Sequence, residues 1–377
     1  MSEWRSWHIY HGDVDSLILG CADPFLERAR PRLEHCFWER HFAGGPHLRV
    51  RLRGPAEAVD AAGRELVAGA ERWVAAHPSP VLASYSPERV VALMKKEGEE
   101  ATPELLRYRV NVVEEHPYQP PRQIFASDDA LALAEDFRHD SMALAARVIA
   151  GPAPRDESLL RLFFLQALTV CRGDLPGGLV SCKSHWEGFA ASFPSQQVIE
   201  RIRAAREQNR GAIHALMLEV TERYNTNTLD RDPILAGWHA LLDEYRTRTR
   251  AELAAGKQIT DQPATPEEAR QSKEKMYTHF HSQSRFVDTF WSDERFIASM
   301  QFEASWIVPR VLTNLLYQFV SSAGTGPIDR MALCYFAFRA AEDHYGCDLA
   351  DILAGNVANT LAANAGRWAV APAATGA

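Results

Sequence analysis

The sequence holds no C-x-x-C pair, and its six cysteines, Cys21, Cys36, Cys171, Cys182, Cys334 and Cys347, are scattered. No Cys/His ligand spacing appears, so no zinc site is expected. The opening MSEWRSWHIY has no apolar core, so no signal peptide is expected. No run of about 18 apolar residues exists, so no membrane-spanning helix is expected. Reduced thiols and a cytoplasmic location follow as the default. Walker A, G-x-G-x-x-G, G-x-S-x-G and H-E-x-x-H are all missing. Nucleotide-driven chemistry and a serine nucleophile elbow therefore lack support. A net charge of −8 argues against a general nucleic-acid binder. What is left is acid–base chemistry or binding, with no metal and no cofactor implied.

What is present is an ordinary globular composition: 377 residues, 46% hydrophobic and 24% charged, enough for a sizeable core. Residues 4–11 read as a strand, about 16–30 as a helix ended by Pro31, LEHCFWERHF as a second strand, AGGP as a turn and 47–53 as a third strand. A helix over 55–76 follows, with Pro55 near its first turn. Residues 105–125 look extended, because PYQPP cannot be helical. Ser127 or Asp128 caps a helix over 128–150, and further helices fall at about 156–171, 195–224 and 233–256. KQITDQPATPEE is the best linker candidate, and from 266 onward the chain reads helical, interrupted at Pro309 and at SSAGTGPID. The expected fold is α+β: an N-terminal mixed sheet with flanking helices and a largely helical C-terminal half. One unit over 1–370 is expected, with 195–256 a candidate helical insertion and 371–377 a frayed tail.

Four constellations invite chemistry. In GGPHLRVRLRG, strand alternation puts Leu48, Val50 and Leu52 on one face and His47, Arg49, Arg51 and Arg53 on the other. Such a strand is either a charged edge facing water or a site where guanidinium forks bind an anion or an amide oxygen. On the 128–150 helix, Glu135 and His139 share a face, as do Asp136 and Asp140. The Glu–His pair suits acid–base work or simply a solvated face. His279 and His281 in YTHFHSQS would share a face only on a strand. In WIVPRVLTNLLYQ, Arg310, Asn314 and Tyr317 form one stripe on an otherwise apolar helix. Polar groups so placed need partners or a pocket.

The order of these blocks resembles a known family. WHIYHGDVDSLI followed by CFWERHFAGGPHLRVRLRG is similar to the start of the thiopeptide-type bacteriocin biosynthesis domain, which also forms the C-terminal elimination domain of class I lanthipeptide dehydratases. YQP at 118–120, ALAEDFRHDS at 132–141 and DRMALCYFAFRAAEDHYG at 329–346 fit its later blocks. The resemblance implies an elimination-domain-like fold and a ribosomally made precursor peptide, leader plus dehydrated core, as substrate. In eliminating members, arginines of the H-x-R-x-R strand hold a glutamyl ester, and a histidine of an H-M-x-x-N-R-L motif assists loss of the α-proton. Here Arg49 and Arg51 match the strand. The second motif departs: Asn314 is kept, Arg310 stands where the histidine would, and Leu315 replaces the following arginine. An arginine, with a pKa above about 12, is no base near neutral pH.

A sister branch of that family, the stand-alone thiopeptide pyridine synthases, fits better. Its members join two dehydroalanines in a formal [4+2] aza-cycloaddition and release water and the leader, with no cofactor. The resemblance then implies that Arg51 polarises an amide oxygen and that Tyr317, His139 or Glu135 moves protons. His47, Arg49, Arg310 and Asn314 would bind substrate. Arginines on the 195–256 helices (Arg201, Arg203, Arg206, Arg210) would attract an acidic leader. The alternatives are a glutamate eliminase acting on glutamylated Ser/Thr, and a non-catalytic leader-binding partner of the pathway's dehydratase proteins.

Overall fold

The computed structural model describes residues 2–80, 86–88, 90–91, 106–122, 125, 127–260, 285–290 and 293–363. The acidic stretch at 97–104, His279 and His281, most of the 257–268 linker and the 371–377 tail lie outside the described residues. Packing divides the chain into two compact units, within the span expected as one. The first runs to Arg155 and takes in Tyr317–Thr325; the second holds Asp156–Leu316 and the residues from Gly326.

The first unit is built on a sheet of four strands, β1 (Ser2–Tyr10), β2 (His35–His41), β3 (His47–Pro55) and β4 (Val112–Pro117), in the order β2-β3-β1-β4. Every described pairing is antiparallel, where a mixed sheet was expected. The reason is topological. The helical connection after β1 makes β1 and β2 run the same way, but β3 folds back at the AGGP turn and lies between them. That turn needs glycine: Gly44 and Gly45 sit at φ 76° and 113°. A Cβ on Gly45 would also stand 2.6 Å from the Arg109 carbonyl, so what approaches this backbone is the chain itself.

One sheet face is apolar, carrying Trp7, Ile9, Leu48, Val50 and Leu52, all buried. It packs against α1 (Ala56–Ala76), whose Gly63 leaves room for the Trp7 ring; a Cβ there would lie 2.3 Å from it. Arg5, on the same face, pairs with Asp60 of α1. The single helix expected over 16–30 is instead three pieces, Val14–Leu17, a π-helical turn Ile18–Ala22 and Asp23–Ala29. The helix α2 (Asp128–Ala150) starts where expected, Ser127 Oγ accepting from the Ala130 amide at 3.1 Å. It runs along β2, one of the sheet's two outer strands.

The second unit is helical. It comprises α3 (Arg155–Val170), whose first residue counts with the first unit, α4 (Val180–Ser192), α5 (Gln196–Gln208), α6 (Arg210–Asn225) and α7 (Pro233–Ala254). These are followed by α8 (Ala304–Ser322), whose end from Tyr317 belongs to the first unit, α9 (Pro327–Tyr345) and α10 (Leu349–Ala363). The helix expected over 195–224 breaks at Asn209. Its side-chain amide donates to the Ala205 carbonyl at 2.8 Å and competes with the helical bond there. The basic face expected on these helices is smaller than the sequence suggested: Arg201, Arg203 and Arg210 are exposed, but Arg206 is buried against Asp343. At the C-terminal end of α9, Lys183 lies 2.6 Å from both Glu342 and Asp348. No helix among the described residues is long and apolar enough to cross a membrane.

Candidate active site

The other face of the sheet is polar. The register places Trp4, Ser6, His8 and Tyr10 of β1 beside Arg53, Arg51, Arg49 and His47 of β3. On the far side of β3 stand His35, Phe37, Glu39 and His41 of β2. Beyond β1 come His116 and Glu114 of β4. Three arginines on one strand face would repel in isolation. Each is matched by a different partner set.

Arg51 is the buried one, 2% exposed. Its Nε donates to Glu39 Oε2 at 3.0 Å and its Nη1 to Ser6 Oγ at 2.5 Å. The second Glu39 oxygen lies 2.9 Å from Arg138 Nη1, from α2. Glu39 thus sits between two guanidiniums, with Arg49 close by. Despite burial, which alone would raise it, its pKa falls to about 2, because Arg138, Arg51 and Arg49 favour the carboxylate. Arg49 is only half-buried. Its Nε donates to His47 Nε2 at 3.2 Å, and its Nη2 is 2.9 Å from His41 Nδ1. His47, almost fully buried, donates from Nδ1 to the Gly45 carbonyl at 2.8 Å, so both its ring nitrogens are used inside the protein. Burial holds it neutral, well below the usual imidazole value. Arg53 pairs with Glu34, 3.3 Å away, and both side chains are partly exposed.

Glu135 and His139 share a helix face but separate in role. Glu135 accepts a hydrogen bond from the Tyr118 hydroxyl, and the Tyr118 ring lies under the Arg51 guanidinium, 5.0 Å from its centroid. Burial raises the Glu135 pKa above the ordinary 4.5, opposed by that hydroxyl and by Arg138. The same burial and the neighbouring carboxylate raise the Tyr118 pKa. His139 instead accepts from the Cys36 amide at 2.9 Å, a donor that β2, as an outer strand, cannot give to another strand. Its pKa is lowered, chiefly by burial and then by Arg30. His139 is thus placed to seal a sheet edge.

The structure therefore gathers Arg49, Arg51, His47 and Glu135 on one face, with His139 at its edge. Tyr317 is buried on α8. Arg310 and Asn314, a turn or two earlier on that helix, belong to the second unit, where Arg310 Nη2 donates to Thr260 Oγ1 at 3.2 Å and Asn314 is exposed. Glu39, Ser6, His8, Arg138 and Tyr118 complete the cluster without having been singled out in the sequence. Two grooves of about 310 and 330 Å³ lie along α1, and neither is lined by the arginine-strand residues. Among the described residues, no three His, Cys, Asp or Glu side chains are grouped as a metal site.

Chemically, the face offers fixed guanidinium donors, a carboxyl with a raised pKa bonded to a phenol, and imidazoles held neutral. That set can bind amide oxygens and move single protons.

Residues 4–341 match the family described as lantibiotic biosynthesis dehydratase C-term. Among solved structures, "Pyridine synthase, TbtD, from thiomuracin biosynthesis" superimposes with a TM-score of 0.69 at 23% identity, over 91% of this chain and 99% of that one. TsrL superimposes with a TM-score of 0.66 at 16% identity, over 94% of this chain and 98% of its own. A search of curated protein sequences finds no match. The elimination-domain-like fold implied by the sequence is the fold observed.

Proposed function

This chain belongs to the lantibiotic biosynthesis dehydratase C-terminal family, and from that premise we propose that it is a thiopeptide pyridine synthase acting on a dehydrated, leader-bearing ribosomal peptide. The observation that carries the reading is coverage: the chain spans 99% of a pyridine synthase of the same fold. The altered C-terminal motif, with Arg310 in place of a basic histidine, favours it over glutamate elimination.

One dehydroalanine amide passes its N–H proton to its oxygen and becomes a 2-azadiene. Two carbon–carbon bonds then form to the second dehydroalanine. Water departs with the iminol oxygen, the leader departs as a carboxamide on the second residue's nitrogen, and a pyridine remains. Each departure takes one ring hydrogen as a proton. Arg49, half-exposed and aimed by His47 and His41, binds the amide oxygen whose electron density rises. Arg51 acts from beneath, holding Glu39 and so Arg138. Glu135, with Tyr118 on its oxygen, moves the proton. Much of the rate is orientation of two alkenes in one peptide, worth up to about 7–11 kcal/mol.

The test is the mass of the products from a dehydrated, azole-containing precursor. A pyridine synthase releases an intact leader carboxamide and a lighter macrocycle. Release of glutamate from a glutamylated peptide with the leader retained would replace this reading by elimination, and an unchanged mass would leave only a binding role. The proton-moving pair makes a separate prediction. Ionised Glu135 is the active form, so activity is lost as pH falls through its raised pKa. The Tyr118 hydroxyl lowers that pKa, so Tyr118→Phe moves the acid limb of the kcat/KM profile to higher pH. An unmoved limb removes Glu135 as the base.

A further inference from the structure

The least satisfied group on the polar face is His8. It is 6% exposed, and its Nε2 is fully buried with no hydrogen-bond partner. Its ring stacks on His116 at 4.1 Å and 20° and on His47 at 5.0 Å and 25°. In the register His8 stands directly opposite Arg49 on β3 and Glu114 on β4. The surroundings hold it neutral: burial acts first, then the charges of His47, Arg49, Arg51 and His116. A neutral imidazole carries one donor and one acceptor. Buried polar atoms in folded proteins nearly always have partners, and an orphan asks for a reason. Packing alone supplies none, since an apolar ring would stack between two imidazoles without leaving a polar atom unpaired.

We propose that His8 is a substrate-binding residue whose unpaired imidazole nitrogen hydrogen-bonds a backbone amide of the peptide substrate beside Arg49. The inference rests on the reading of this face as the peptide site. An extended peptide seated there presents amide oxygens and amide hydrogens side by side. Arg49 is a donor only, so it serves the oxygens and cannot take an amide hydrogen. His8, one strand over, accepts it. Because a trans amide points its oxygen and hydrogen to opposite sides, the two residues together take the oxygen of one amide and the hydrogen of the amide next to it.

The probe is a synthetic leader-bearing peptide with two dehydroalanines between azoles, and the readout is its binding, which does not depend on which product forms. His8→Phe keeps the stack and removes both nitrogens. It is expected to melt at or above the wild-type temperature while binding the dehydrated peptide about tenfold more weakly and the isolated leader unchanged. In wild-type protein labelled with 15N-histidine, the peptide is expected to shift an imidazole nitrogen signal of His8. Equal affinity in His8→Phe, an unshifted His8 signal, or a wild-type protein that does not bind the peptide overturns the proposal. A wild type that binds and shifts as expected but yields no pyridine overturns the catalytic reading alone.

Discussion

Glu39→Gln should lower stability by about 3 kcal/mol at neutral pH and by roughly half that at pH 3. The shape of the side chain is kept, so the effect is one of charge. In the folded protein Glu39 has a pKa of about 2 against an ordinary 4.5. A depressed carboxyl pKa contributes stability that is fully present above the unfolded value and is lost as pH falls toward the folded one. The side chain is 22% exposed and Arg51 only 3%, so solvent screens the contact little. Denaturant unfolding of both proteins between pH 7 and pH 3 checks this. A stability gap that stays constant with pH would show that Glu39 acts through its shape. The same variant should lose activity, because Arg51 and Arg138 would then face each other without the carboxylate that separates them.

Much of this cluster was legible in the sequence, and the limits are instructive. The alternation of GGPHLRVRLRG put Arg49, Arg51 and Arg53 on one face, and the AGGP turn implies the hairpin. That turn also fixes the register, so Glu39 opposite Arg49 and Phe37 opposite Arg51 were within reach of the same reasoning. The signal lies in the alternation of CFWERHF. Tyr118 was different. It precedes Glu135 by seventeen residues through a proline-rich segment with no periodicity, so nothing local says that its hydroxyl meets that carboxyl or that its ring lies under Arg51. His139 shows a different limit. Helical spacing correctly put it on the face of Glu135, but spacing says nothing of an unpaired Cys36 amide on an outer strand. Amphipathic periodicity predicts one helix over 195–224 because it continues across Asn209, whereas the competing side-chain bond there is a local event.

Arg49→Lys is expected to reduce kcat/KM by about 100-fold, the loss typical of a removed donor to a developing negative oxygen. Most of it should fall on kcat. An amide oxygen gains charge only as the iminol forms, so a donor aimed at it does more in the transition state than in the bound complex. Lysine keeps the charge but lacks the planar fork, and it cannot serve His47 Nε2, His41 and a substrate oxygen in one fixed geometry. Arg53→Lys is the matched control. It lies four residues along the same strand face, with its side chain 37% exposed and its partner Glu34 42% exposed. Exposed pairs contribute little, so its kcat/KM should stay within about fivefold of wild type. Similar losses in both variants would mean that the strand acts by general positive charge, attracting an acidic peptide, and that no single guanidinium is aimed. A large loss at Arg49 alone, with the melting temperature nearly unchanged, would mean that the two imidazoles holding this arginine exist to point it, since its contribution would then appear in turnover while the fold stays intact.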